Sequence, residues 1–368
     1  MQSIFQNLAL EVRRVRHFLA ALCVLIVPMM AFSAPFAYIP NFWSDTVSVI
    51  DSASNTVTAT VSVGVHPIGV SVNSTGTRVY VTNYSSNSVS VIDTASNTVT
   101  ATVSVGSVPI GVSVNPAGTR AYVANFVDGT VSVIDTASNT VIATVTVGSG
   151  PYGIVVNPAG TRVYAVNNLG DNVSVIDTAS NTVTGTVSVG SNPQGISVNP
   201  AGTRVYVANN GSNNVTVINT TNNTVAATVS AGSNPVGVSV NPAGSTVYVS
   251  NQGGAGTVSV IDTASNTVTA TVTLGGGPYG VSVNPAGTRV YVANIGGFPH
   301  TVSAIDTSSN AVTATVTVGQ TPYALGNFFS LPLANAPATI PTISEWGLFM
   351  LSALLALGTF RVMRGRQS

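Results

Sequence analysis

Along most of the chain, Val alternates with small or polar residues at a period of two. In Pro109–Gly148, PIGVSVNPAGTRAYVANFVDGTVSVIDTASNTVIATVTVG, four such runs follow one another. The runs GVSVN, TRAYVAN, TVSVID and TVIATVTV (a, b, c and d below) each set β-branched residues on one face of an extended strand. No apolar spacing of three or four residues intervenes, so antiparallel strands follow one another without helices. The turns are equally explicit. Asn115-Pro116-Ala117-Gly118 joins a to b, where proline presets φ and glycine accepts a positive φ. Asp135-Thr136-Ala137-Ser138-Asn139 joins c to d with side chains that bond to nearby backbone.

The unit recurs along nearly the whole sequence. The residue closing strand c falls at Asp51, Asp93, Asp135, Asp177, Asn219, Asp262 and Asp306, with gaps of 42, 42, 42, 42, 43 and 44. Four strands in a unit of this length predict one propeller blade. The first copy starts at strand b (Ala37–Asn41), and the last is followed by a lone a-type segment, Pro322–Asn327. The expected fold is therefore all-β: a seven-bladed propeller of four-stranded antiparallel blades, closed when the C-terminal strand completes the first blade. Closure removes unpaired edges. An open solenoid would need polar capping repeats, and none is visible.

The flanks read differently. Residues 1–36 look like an export signal: Arg13, Arg14, Arg16 and His17 precede an apolar stretch from Phe18 to Met30, and Ala31-Phe32-Ser33 offers small residues for cleavage. The propeller is expected over 37–329 and a Pro-rich linker over 330–341. Residues 340–368 then hold Ile340-Pro341-Thr342-Ile343-Ser344-Glu345-Trp346-Gly347, an apolar run from Leu348 to Phe360, and Arg361, Arg364 and Arg366. Trp346 suits a membrane interface and the arginines predict a cytoplasmic end, so this segment is expected to be a short transmembrane helix.

Composition narrows the function classes. Only 6% of residues are charged and every basic residue other than histidine is arginine, so no basic nucleic-acid footprint exists. The single Cys23 excludes an intramolecular disulfide. Glu is absent from the blades, and there is no nucleophile elbow, P-loop or dinucleotide fingerprint. The recurring Asp reads as a turn former, because Asn219 replaces it once. The recurring Arg78, Arg120, Arg162, Arg204 and Arg289 have Thr246 in their place in one copy, so an obligatory Arg–Asp pair is excluded. No cofactor or metal site is predicted: His66 and His300 are the only histidines of the exported part, and no second His or Cys supports either. Asp45, Asp128 and Asp171 read as solvated loop acids in preference to calcium ligands.

The copies differ mainly in their b–c and d–a loops, which alternation places on one face of the disc. Loops on a rigid scaffold are where binding resides. At the channel mouth, Ile68, Ile110, Tyr152, Gln194, Val236, Tyr279 and Tyr323 form a collar, with plugging of the channel the favoured use. The candidate ligand-binding residues are Trp43, Asp45, His66, Tyr152, Tyr279, His300 and Tyr323.

Two resemblances add to this. Tyr80-Val81-Thr82-Asn83 and its relatives YVAN and YVSN resemble the YVTN β-propeller repeat family over about residues 37–329, which implies an exported repeat protein. The C-terminal segment resembles the IPTL-CTERM sorting signal, with Ile343 where that pattern has Leu. That resemblance implies an envelope protein of a Gram-negative cell, with Ile340–Gly347 recognised by an exosortase-type enzyme. The expected protein is a non-enzymatic binding or scaffold propeller of the cell envelope, membrane-anchored at least before sorting. Its expected partners are the sorting enzyme, the export machinery and a protein or glycan ligand. The alternatives are a propeller enzyme of lyase or lactonase type, with His66, His300 and Asp45 at the mouth, and a surface-layer-like building block.

Overall fold

A computed structural model describes residues 35–330. Residues 1–34 of the export signal predicted over 1–36, the linker beyond Ser330, the sorting motif and the apolar C-terminal run lie outside the described residues, while Phe36, assigned to that signal, opens the first strand. Within them, six four-stranded antiparallel sheets and one three-stranded sheet follow in chain order. The three-stranded sheet comprises β1 (Phe36–Asn41), β2 (Thr46–Asp51) and β3 (Thr56–Ser62). Blade 2 shows the full pattern, with β4 (Pro67–Val72), β5 (Arg78–Asn83), β6 (Ser88–Asp93) and β7 (Thr98–Ser104). Blades 3 to 7 begin at Pro109, Pro151, Pro193, Pro235 and Pro278.

Burial follows position in the blade. Strands b and c are covered on both pleat faces because each blade is packed between two others; Tyr80, Val81, Val89 and Val91 are all 1% exposed or less. Strand d exposes most of its residues at the rim. The core joins neighbouring blades: Tyr122, Val131 and Val133 of blade 3 pack with Val163, Ala165 and Ile176 of blade 4. Burial of this kind, repeated between blades, is the main stabilising term.

Polar residues of the repeat serve the same seams. Arg120 Nη1 donates to the Thr178 carbonyl of the next blade at 2.8 Å, Arg162 to Thr220 at 2.8 Å, and Arg289 to Ser52 at 3.0 Å. Arginine here is an inter-blade clamp on a backbone oxygen. The aspartates cap turns, as expected: Asp135 Oδ1 accepts the Ser138 N–H at 2.8 Å and its hydroxyl at 2.9 Å. Asn219 Oδ1 does the same for Thr221 N–H at 2.9 Å. These bonds favour the carboxylate form, so Asp135 and Asp177 lie below the ordinary carboxyl range and Asp306 falls to about 2.

The axis is built on glycine. A Cβ on Gly69, Gly111, Gly153, Gly195 or Gly237 would fall on a carbonyl oxygen of the next blade's inner strand. Only a residue without Cβ lets the inner strands come this close.

The C-terminal segment closes the ring. Tyr323 N–H donates to the Pro40 carbonyl at 3.1 Å, Tyr38 N–H to Phe328 at 2.9 Å and Ser330 N–H to Phe36 at 2.9 Å. The expected strand is less regular than its six counterparts. Between the bridges Asn41–Pro322 and Ala37–Phe329 it takes seven residue steps, where β4 takes five from Pro67 to Val72 opposite Asn83 to Val79. The two extra residues bend it toward the axis, where it also pairs in parallel with β4. Val70 N–H donates to the Leu325 carbonyl at 2.9 Å, and Val72 N–H to Asn327 at 3.2 Å. Ala324 (φ 48°) and Gly326 (φ 118°) make the bend.

Candidate ligand site at the loop-side mouth

The b–c and d–a loops share one face. In each blade the first b–c loop residue donates its N–H to a d–a loop carbonyl: Tyr84 to His66 at 2.9 Å, Phe126 to Val108 at 3.0 Å, Asn168 to Gly150 at 2.9 Å, and Phe42 to Thr321 at 3.0 Å. A second tie comes from the last b–c residue. Asp45 Oδ1 accepts the His66 N–H at 2.8 Å, Asn87 the Val108 N–H at 2.8 Å, and Asp171 the Asn192 N–H at 2.8 Å. The Asp45 carboxylate is thus committed to holding a loop, a task that asparagine performs elsewhere.

Two rings of side chains surround the mouth. The predicted collar, Ile68 to Tyr323, forms the lower ring. The first b–c residues, Phe42, Tyr84, Phe126, Asn168, Asn210, Gln252 and Ile295, occupy one repeat position above it. A depression of about 300 Å³ lies between, lined by Phe42, Tyr84, Phe126, Tyr152, Tyr279, Tyr323, Gln252 and three isoleucines. Its floor is closed by Leu325, which packs with Ile68 and Ile110. Below Leu325 only about 20 Å³ is open at the axis, between inner-strand glycines. The channel is closed jointly by the bend and the collar, Leu325 packing with Ile68 and Ile110 and with Tyr152 and Tyr323 against them, and the depression above forms a bowl.

The bowl is aromatic on one side. Phe42 stacks on His66 with centroids 4.3 Å apart and planes 10° apart, and meets Tyr323 edge-on at 5.2 Å. Trp43 meets His66 edge-on at 4.6 Å and is 61% exposed. Tyr279 and Tyr323 pack edge-on at 4.6 Å, and Phe126 approaches Tyr152 at 6.2 Å. The hydroxyls of Tyr152 and Tyr279, from blades 4 and 7, are hydrogen-bonded to each other. Burial pushes the Tyr152 phenol up to about 12 and raises Tyr279 and Tyr323 as well, so these phenols are neutral at physiological pH.

Of the candidates, the fold brings Trp43, His66, Tyr152, Tyr279 and Tyr323 to this mouth, with Asp45 behind His66. His300 stands apart: it ends the b–c loop of blade 7, its ring meets Phe298 edge-on at 6.1 Å, and its Nδ1 is buried without a partner. No contact joins it to His66 among the described residues. His66 Nδ1 bonds Ser85 Oγ at 2.7 Å. No three His, Cys, Asp or Glu side chains cluster among the described residues. Phe42, Tyr84, Phe126 and Gln252 were not among the sequence candidates. Their signal was present, because all follow the buried Asn that ends strand b.

The opposite mouth is a funnel of about 540 Å³ lined by strand-a serines and turn residues, among them Ser71, Ser113, Ser197, Ser239 and Asn241. Most of these serines tie blades together: Ser71 Oγ accepts Val114 N–H and Ser113 Oγ accepts Val156 N–H, both at 3.1 Å. The described chain ends, Pro35 and Ser330, also lie on this turn side. The Pro35 carbonyl accepts the Ser52 hydroxyl at 2.6 Å, and Phe36 N–H donates to Ser330 Oγ at 3.0 Å.

Comparison with known proteins agrees with this architecture. Residues 338–367 match the IPTL-CTERM motif, so the chain carries a C-terminal sorting motif. Residues 143–228 match the family described as Lactonase, 7-bladed beta-propeller. Among solved structures, hydrazine synthase of Kuenenia stuttgartiensis is similar at 23% identity and a TM-score of 0.65, covering 70% of this chain and 88% of that one. A functionally unknown protein from Desulfotomaculum acetoxidans DSM 771 is similar at 18% identity and a TM-score of 0.71, covering 81% of this chain and all of that one. Both likenesses concern the fold alone. No curated protein matches the chain.

Proposed function

We propose that this protein is an exported propeller of the cell envelope that acts as a non-enzymatic binding or scaffold module, with the loop-side bowl as its ligand site. The observation that carries the reading is the division of labour between the faces. Both described chain ends lie on the turn side. The aromatic loop side is therefore the face opposite the last described residue, Ser330. An exosortase-type enzyme acting near Ile340–Gly347 would complete the sorting, and the apolar run after Trp346 would hold the chain in the membrane until then.

The second reading, a lactonase-like enzyme, is favoured by the match over residues 143–228. That match covers roughly two blades, and the propeller scaffold itself accounts for it. At the rim of the bowl, the His66 imidazole is stacked on Phe42 and bonded to Ser85. The carboxylate nearest to it bonds the His66 backbone. Neither group stands free beside the other as a paired acid and base. The two readings separate on one assay: glucono-δ-lactone hydrolysis by the full chain, compared with His66→Ala. The expected outcome is no turnover above the buffer rate. Turnover in the wild type that His66→Ala abolishes would end the binding reading.

A further inference from the structure

Resting on the reading of the bowl as a ligand site, we propose that it binds a neutral sugar ring of a glycan chain. The argument starts from what is missing at its wall. No charged side chain lines the depression. An ionic ligand would lose its hydration there without gaining a counter-charge, and burying an unpaired charge is costly.

The upper ring is divided by chemistry. Blades 1 to 3 place Phe42, Tyr84 and Phe126 at the first b–c position; blades 4 to 6 place Asn168, Asn210 and Gln252 at the same position. All three aromatic rings line the depression; of the amides Gln252 reaches its wall, and blade 7 places Ile295 there. The Gln252 amide at the wall can both donate to and accept from a ligand hydroxyl. The phenols of Tyr152, Tyr279 and Tyr323 are held protonated by burial.

A pyranose matches this division. Its C–H faces pack on aromatic rings, and its equatorial hydroxyls donate to and accept from amides and phenols. The indole of Trp43 lies just outside the bowl, against His66, and is 61% exposed. It supplies a second platform for an adjoining sugar, so a chain should bind better than a single ring.

The test uses Trp43 itself. The sequence has two tryptophans, Trp43 and Trp346, so full-length protein carrying Trp346→Phe reports from the rim alone. This protein is titrated with cellohexaose, maltohexaose, chitohexaose, hexagalacturonate and an uncharged Ser/Thr/Val octapeptide, followed by fluorescence and by calorimetry. The expected result is saturable binding of at least one of the three neutral hexasaccharides, with hexagalacturonate weaker by about tenfold or more. Tyr84→Ala and Gln252→Ala should each weaken that binding about tenfold or more while leaving the thermal transition nearly unchanged. Silence with all three neutral hexasaccharides by both methods overturns the inference. Binding that favours hexagalacturonate, or that survives both substitutions, overturns it too. Binding of the octapeptide alone overturns the glycan assignment and leaves the binding-module reading intact, whereas His66-dependent lactone turnover removes that reading itself.

Discussion

On the turn face, thirteen positions adopt positive φ: the six a–b glycines from Gly76 to Gly287 and the seven c–d asparagines from Asn55 to Asn310. These are the residue types that tolerate the left-handed region. On the loop face, the second d–a residue adopts the same conformation, yet His66 (φ 57°), Val108 (φ 58°) and Thr321 (φ 54°) occupy it beside Gly150, Asn192, Asn234 and Gly277. A β-branched residue there is a backbone outlier. Sequence on the turn face obeys the backbone. On the loop face it departs from the backbone's preference at two d–a loops, those of Val108 and Thr321, both flanking the aromatic half of the mouth. Val108 packs against the cluster of Ile68, Ile110 and Leu325, so its strain is offset by apolar contact at the bowl. The difference teaches where side-chain identity serves something other than the fold.

The harshest way to break this contrast is at the axis both faces share. Gly153→Ala places a methyl group on the Gln194 backbone carbonyl, where no flexible side chain can yield. The expected outcome is a loss of about 3 kcal/mol or failure to fold, read by urea unfolding. On the turn face, Asn115 Oδ1 accepts the N–H groups of Thr119 at 2.8 Å and Arg120 at 3.0 Å, and its amide donates to Thr119 Oγ1 at 3.0 Å. Asn115→Ala should therefore destabilise by about 1–2 kcal/mol in the same assay.

The loop face should respond in the opposite sense. Val108→Asn exchanges a strained residue for one that accepts positive φ. It should stabilise the protein by up to about 1 kcal/mol, less whatever packing of the valine is lost. A clear destabilisation would show that the valine is held there by packing alone. The smallest effect concerns acid. The folded-state pKa values of Asp93, Asp135, Asp177, Asp262 and Asp306 are depressed by turn hydrogen bonds, so their stabilisation is complete above the ordinary carboxyl range. It is lost as pH falls, for Asp306 down to about 2. The melting temperature should drop between about pH 4 and pH 2, and Asp306→Asn should drop slightly less, since Asn219 shows that an amide can cap this turn.

The blade pattern was legible because strand, turn and period agreed in every copy. Val alternation placed the strands, and Asn-Pro-Ala-Gly and the Asp turns set their ends. Closure was legible from the missing first strand and the surplus last one. The bend was not: Ala324-Leu325-Gly326-Asn327 reads as an ordinary a-type strand, and only the seven-step pairing shows that it carries two extra residues. The contribution of Leu325 to the plug was hidden with it. In the bowl, the collar was readable from one repeated position, whereas the upper ring needed the b–c loops aligned by the buried Asn of strand b. Asp45 looked like free loop chemistry because its partner, the His66 N–H, is a backbone group of the next loop.

The bond between Phe36 N–H and Ser330 Oγ spans 294 residues of sequence. The last piece of the domain to be synthesised is thus the piece that locks the first, and loop closure over that length comes late. Until the nascent polypeptide has emerged as far as Ser330, blade 1 lacks its inner strand and β4 lacks its parallel neighbour. A chain threaded through a translocation pore from its N-terminus would remain unlatched throughout the passage. It would snap shut only on the far side.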